Sequence, residues 1–131
     1  MKYAIMSDIH GNLGAFKRAV ADAKKRRCKK IICLGDLTGY GKQSKECVEY
    51  AMKTMDVCLM GNHDIVWMGA AALSEACIAQ VIVTSVKYGN LETLEVGYGI
   101  SLRPLSTLAM TYYSEDPCTE FRPKDNGEDV H

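Results

Sequence analysis

The sequence predicts an α/β domain built on a parallel sheet, and three observations support it. Short apolar runs recur at Tyr3-Ala4-Ile5-Met6, Ile31-Ile32-Cys33-Leu34 and Val57-Cys58-Leu59-Met60, and buried parallel strands read as near-continuous apolar stretches of this kind. The segments between the runs carry apolar residues at helical spacing rather than in alternation. Each run is followed by polar residues able to bind an ion: Asp8-Ile9-His10, Gly35-Asp36 and Gly61-Asn62-His63-Asp64. Loops past the carboxyl ends of strands are where open α/β sheets place their sites.

In chain order, the first strand is expected over residues 2–7. Asn12, a good N-cap, opens a helix with Leu13, Phe16, Val20 and Ala23 on one face. That helix closes on Lys24-Lys25-Arg26-Arg27, with Lys29-Lys30 just beyond. With a formal net charge of zero, these read as cations complementing a helix carboxyl terminus, not as a phosphate-binding or localisation patch. The second strand spans 30–34. The loop Asp36-Leu37-Thr38-Gly39-Tyr40-Gly41 then leads to Ser44 as N-cap of a helix over 46–55, with Cys47, Val48, Ala51 and Met55 inward. A third strand over 56–60 completes a β-α-β-α-β order, which implies right-handed crossovers. Beyond Asp64 a helix is expected over 65–79, while Val81-Ile82-Val83-Thr84 fits helix and strand equally. A fourth strand is expected over 106–113. Residues 114–131, with Pro117, Pro123 and Asn126-Gly127, read as a loop or disordered tail.

A chain of 131 residues is expected to form one domain, with residues 1–64 carrying the motifs. Hydrophobic residues make up 47% and charged residues 24%, a balance without a nucleic-acid or membrane signature. The amino terminus reaches Asp8 too early for a secretory signal. The apolar stretch 65–86 is interrupted by Gly69, Ser74, Glu75 and Gln80, which argues against a membrane span. Six cysteines occur without a CxxC pair, so a reducing, cytoplasmic compartment is expected rather than a disulfide scaffold.

The polar groups suggest metal chemistry. Asp8 and His10 are two residues apart and can face one ion. Asp36 offers two oxygens and can bridge a pair of ions. Asn62 adds a neutral amide oxygen that can hold a metal or a phosphate oxygen. A mixed set of this kind suits Mn²⁺, Fe, Ni or Zn²⁺ better than Ca²⁺. Two ions about 3.5–4 Å apart polarise a phosphoryl group and generate a bound hydroxide; His63 would then donate a proton to the leaving oxygen or contact the developing charge. Plainer roles compete. Asp8 and Asp36 could be helix N-caps, and His10 and His63 could hydrogen-bond loops. Asp64 reads as a helix cap or an orienting partner for His63, and Trp67 and Met68 as core. Gly39-Tyr40-Gly41 fits a phosphate-contacting loop or a turn around a packed Tyr.

Asp8-Ile9-His10-Gly11-Asn12, Gly35-Asp36 with Gly39-Tyr40-Gly41, and Gly61-Asn62-His63-Asp64, in that order, resemble the calcineurin-like metallophosphoesterase superfamily, in particular its compact bacterial branch. The resemblance covers the first half of the chain. It implies two mixed sheets flanked by helices around a two-metal site. Asp8 and His10 would hold the first ion, Asp36 would bridge, Asn62 would hold the second, and His63 would be the catalytic histidine acting on a phosphomonoester or phosphodiester. The superfamily pattern also contains a strand-end histidine and a Gly-His-x-His segment. This sequence has three histidines, and only His131 follows His63. Tyr112 and Tyr113 stand where the strand-end histidine would fall. The expectation is therefore a shortened or degenerate member with one ion well held and a second held weakly. Such a chain is either a metal-dependent phosphoesterase, with missing ligands supplied by a second copy in a homo-oligomer, Tyr112 or His131, or an impaired remnant that binds a metal, a phosphate or a partner.

Overall fold

The computed structural model describes residues 1–117 and 119. Strands β1 (Tyr3–Met6), β2 (Lys30–Cys33) and β3 (Val57–Cys58) form one parallel sheet in the order β1-β2-β3. Register pairs Ala4 with Ile31, and Cys33 with both Met6 and Cys58. The expected β-α-β-α-β order is present, with each strand shorter than the sequence suggests. Beyond the last ladder bond the chain turns into the ligand-bearing loops, so the strands stop where the chemistry begins.

Helices α1 (Leu13–Lys25) and α2 (Ser44–Thr54) connect the strands. The Asn12 side chain accepts a hydrogen bond from the Ala15 amide at 3.0 Å, the N-cap contact expected of it. Arg26 folds back onto Asp22 at 2.6 Å, so the basic cluster is a solvated helix end. At α2 the N-cap is Gln43, and Ser44 is the first helical residue, its hydroxyl donating to the Gly41 carbonyl at 3.4 Å. Phe16, Val20 and Ala23 of α1, Ile31 and Cys33 of β2, and Cys47 and Ala51 of α2 form one buried cluster. Both helices therefore cover the same face of the sheet. On the opposite face Tyr3 and Ile5 are exposed, and no second sheet occurs among the described residues, in contrast to the two-sheet layering implied by the resemblance.

The second half is helical. Instead of one helix over 65–79, there are α3 (Asn62–Ala71) and α4 (Glu75–Lys87), bent by 120° across the break. Leu73 takes a left-handed backbone there, φ 65°, which ends α3. Val81-Ile82-Val83-Thr84 lies within α4, which settles the ambiguity as helix. A π-helical turn spans Thr93–Gly97, and α5 covers Arg103–Tyr113. The fourth strand expected over 106–113 is thus a helix; Pro104, in its first turn, is preorganised for helix entry. A second small cluster joins Val81, Leu94 and Leu102, with Trp67 packed against it, whereas Met68 is exposed rather than core. No single helix is long and apolar enough to cross a membrane. Residues 114–117 follow α5 as turn and coil, and most of the tail reading, with His131, lies outside the described residues.

Candidate metal centre

Three of the loop residues singled out from sequence converge. Asp8, His10 and Asp36 each offer a ligand atom, and these atoms all lie within 4.8 Å of one another. Two donors on one ion at about 2.1 Å each stand at most about 4.2 Å apart, so the cluster needs only a small closure to embrace a cation. Asp8 is exposed, His10 half-buried and Asp36 buried, which grades the site from solvent inward. His10 Nε2 and Asp8 Oδ1 are 3.5 Å apart.

All three residues adopt left-handed backbone: φ is 57° at Asp8, 46° at His10 and 55° at Asp36. Non-glycine residues rarely enter this region, and when they do they cluster at functional sites held by their surroundings. Parallel-type bonds carried past the strand ends hold them here. His10 N donates to Asp36 O at 2.9 Å, Gly11 N to Leu37 O at 2.9 Å, and Gly41 N to His10 O at 2.7 Å. The two loops are therefore knitted backbone to backbone.

Side-chain contacts then orient the donors. His10 Nδ1 meets the Thr38 carbonyl at 3.0 Å. A carbonyl only accepts, so Nδ1 carries a hydrogen; in the neutral ring this leaves the Nε2 lone pair on the Asp8 side, the arrangement metal-bound imidazoles use. Asp36 Oδ1 accepts from the His63 amide at 2.9 Å, and bare Gly61 lets the carboxylate lie against the start of α3. Asp36 is thus both an ion-type donor and an anion at a helix amino terminus. Asp8 caps no helix, since Asn12 fills that role for α1.

His63 sits in an aromatic stack. Its ring is edge-on to His10 at 4.8 Å and to Tyr40 at 4.8 Å, and Tyr40 stacks on Tyr88 at 4.1 Å. The Tyr40 hydroxyl is 3.1 Å from His63 Nε2. Burial first, then the neighbouring Tyr88 and the charges of Asp36 and Asp8, raises the Tyr40 pKa above its ordinary value, so the phenol keeps its proton. Gly39 makes the approach possible: a Cβ there would stand 2.8 Å from His10 Nδ1 and 3.2 Å from His63 Nδ1. Asn62 opens α3 beside His63 and is exposed. Asp64 accepts from the Gly61 amide at 3.0 Å as a helix cap, and its other bonds run to the loop after β2 rather than to the ring of His63.

Sequence reasoning did not single out Thr38, Tyr88 or Asn90. Buried Asn90 donates to the Gly41 carbonyl at 3.1 Å across 49 residues, fastening the end of α4 to the site loop. Nothing local marks such a contact. A cleft of about 630 Å³, lined in part by Asn12, Tyr40, Lys42 and Gln43, opens onto Asp8 and His10.

Carboxylates and imidazole converging at the tips of a parallel sheet define a class of α/β protein with a candidate metal centre. The chain belongs to the Firmicute fructose-1,6-bisphosphatase family, whose model matches residues 23–131. It is 50% identical over 96 residues to fructose-1,6-bisphosphatase class 3 of Clostridium botulinum (strain Hall), covering 72% of this chain and 14% of that protein. It is 64% identical over 69 residues to fructose-1,6-bisphosphatase class 3 of Bacteroides fragilis, covering 53% of this chain and 10% of that protein. Among solved structures, a metallophosphoesterase from Sphaerobacter thermophilus is similar with a TM-score of 0.46 and 39% identity, over 50% of this chain and 27% of that one. The chain thus spans 14% or less of the length of these curated relatives.

Proposed function

We propose that this chain carries the ion-holding portion of a metal-dependent phosphoesterase, with fructose 1,6-bisphosphate, named in its relatives, as the substrate. Asp8, His10 and Asp36 would hold the first divalent ion, Mn²⁺ foremost, with Fe, Zn²⁺ and Ni as alternatives. Asp36 would also face a second ion together with Asn62. The reading rests on the calcineurin-like motif order and, above all, on three donor atoms within 4.8 Å of one another. The donor chemistry fits: one imidazole with its far nitrogen tied to a carbonyl, and two carboxylates.

When bound, the ion supplies Lewis-acid polarisation of a phosphoryl oxygen. The remaining roles fall to the chain's own side chains. Asn62 and His63, at the amino terminus of α3, would face the phosphate, where helix amides also favour anions. His63 would give its proton to the departing oxygen, with Tyr40 holding the ring's angle through the 3.1 Å contact. A reducing, cytoplasmic setting belongs to this reading, supported by cysteines 28, 33, 47, 58 and 77, which are free thiols.

Elemental analysis after Mn²⁺ loading, paired with phosphate release from fructose 1,6-bisphosphate, tests it. At least one ion per chain, lost in Asp36→Ala, and Mn²⁺-dependent release are expected. A chain that retains no ion sinks the reading. One observation favours a second reading: the described cluster offers three protein donors, enough for a single ion. Stoichiometric binding without turnover would establish that alternative, a non-catalytic module that binds a metal, a phosphate or a partner.

A further inference from the structure

We infer that Asp64 is the positioning residue of the metal centre, its single carboxylate setting both Asp36 and, through Thr38, His10. The inference rests on the ion-holding role proposed above. Asp64 is buried, and both its oxygens are fully used. Oδ2 accepts from the Asp36 amide at 2.7 Å and from the Gly61 amide at 3.0 Å. Oδ1 accepts from the Thr38 amide and the Thr38 hydroxyl, each at 3.0 Å.

These four bonds divide unequally. The Gly61 bond is the ordinary capping contact of a residue in the first turn of its own helix. The other three cross to a loop 26 to 28 residues away, and a helix cap needs none of them. Their targets matter. The Asp36 amide belongs to a residue at φ 55°, preceded by Gly35 at φ 112°, a run of backbone that persists only where its surroundings over-determine it. Thr38 owns the carbonyl that receives His10 Nδ1 at 3.0 Å. Asp64 thereby grips the loop on either side of Leu37 and fixes the direction of the Asp36 carboxylate and of the peptide that aims His10. The Asp36 carboxylate answers by accepting from the His63 amide at 2.9 Å, so the loop and the helix start are clamped in both directions. Because all four partners are donors, only an acceptor-only carboxylate serves; an amide would turn its NH₂ toward two N–H or O–H groups.

The test is Mn²⁺ affinity of the full chain, read from free-ion electron paramagnetic resonance well below the unfolding temperature. Asp64→Asn is expected to bind Mn²⁺ about 10–100-fold more weakly, the usual loss when an outer partner of a metal ligand is removed. Val20→Ala, which thins the first cluster within α1 and takes part in none of these four bonds, lowers stability without moving affinity and so separates positioning from general destabilisation. Thr38→Val, which deletes one of the four bonds, is expected to weaken binding several-fold and decides the question if Asp64→Asn does not fold. Wild-type affinity in folded Asp64→Asn, or in Thr38→Val when the first variant is unfolded, overturns the inference while leaving the ion-holding role standing. Failure of the wild-type chain to bind Mn²⁺ overturns both.

Discussion

The Thr38 carbonyl oxygen lies 3.0 Å from Nδ1 of His10, and this contact decides which face of the imidazole meets Asp8. The expected tautomer of neutral His10 is therefore Nδ1–H. Long-range proton–nitrogen correlation spectra of the ring will show a protonated Nδ1 and a bare Nε2. The opposite pattern would mean that the carbonyl does not orient the ring.

Gly35 and Gly61 pack backbone against backbone, so that a Cβ on Gly35 would overlap the Gly61 amide nitrogen. Gly35 also sits at φ 112°. Gly35→Ala is expected to lose at least about 3 kcal/mol, combining backbone strain with the overlap. Gly99 provides the control, since its φ is +68° but nothing lies within 4 Å of the added methyl. Gly99→Ala should lose only about 1 kcal/mol. Urea midpoints of the two variants measure the difference, and equal losses would refute the close packing.

Phe16 is 1% exposed at the centre of the first cluster, whereas Leu108 on α5 is 51% exposed. Phe16→Ala should destabilise by about 3–5 kcal/mol. Leu108→Ala should stay within about 0.5 kcal/mol. α5 buries none of its residues, so its amides should exchange with deuterium before those of α1.

The buried Cys47 thiol is pushed up to about 11, by burial first and by the neighbouring Glu46 carboxylate second. Its folded pKa lies above its unfolded one, so the neutral thiol's contribution to stability is intact below the ordinary thiol range. That contribution fades as pH rises from about 9 to about 11. The urea midpoint should fall over this window, and by less in Cys47→Ala. At pH 8, iodoacetamide should leave Cys47 unmodified in the folded chain; prompt labelling would show that the thiol is not buried.

The first half of the molecule was legible because its signals are local. An apolar run, a polar tip and a capped amphipathic helix each announce themselves within a dozen residues, and Asp8, His10 and Asp36 meet because strand order alone brings neighbouring tips together. The second half was harder for two physical reasons. Thr107, Thr111, Tyr112 and Tyr113 have strand-like character, yet neither edge of the described sheet pairs with them, and Pro104 starts a helix whose face stays in solvent. The break in the helix expected over 65–79 depends on Leu73 at φ 65°, a leucine in a conformation its sequence does not advertise. Within the site, the donors could be named, but Thr38, Tyr88 and Asn90 could not, because their contacts to the site span 26 to 49 residues or arise from stacking across the fold.

The left-handed backbone at Asp8 and Asp36 also limits how the site can be edited. Aspartate and asparagine are among the few side-chain-bearing residues that enter this region readily. Asparagine is therefore the replacement that removes negative charge at either position while keeping both a side chain of the same shape and the loop's path, and a bulkier or branched substitute would report on a distorted turn as much as on a missing ligand.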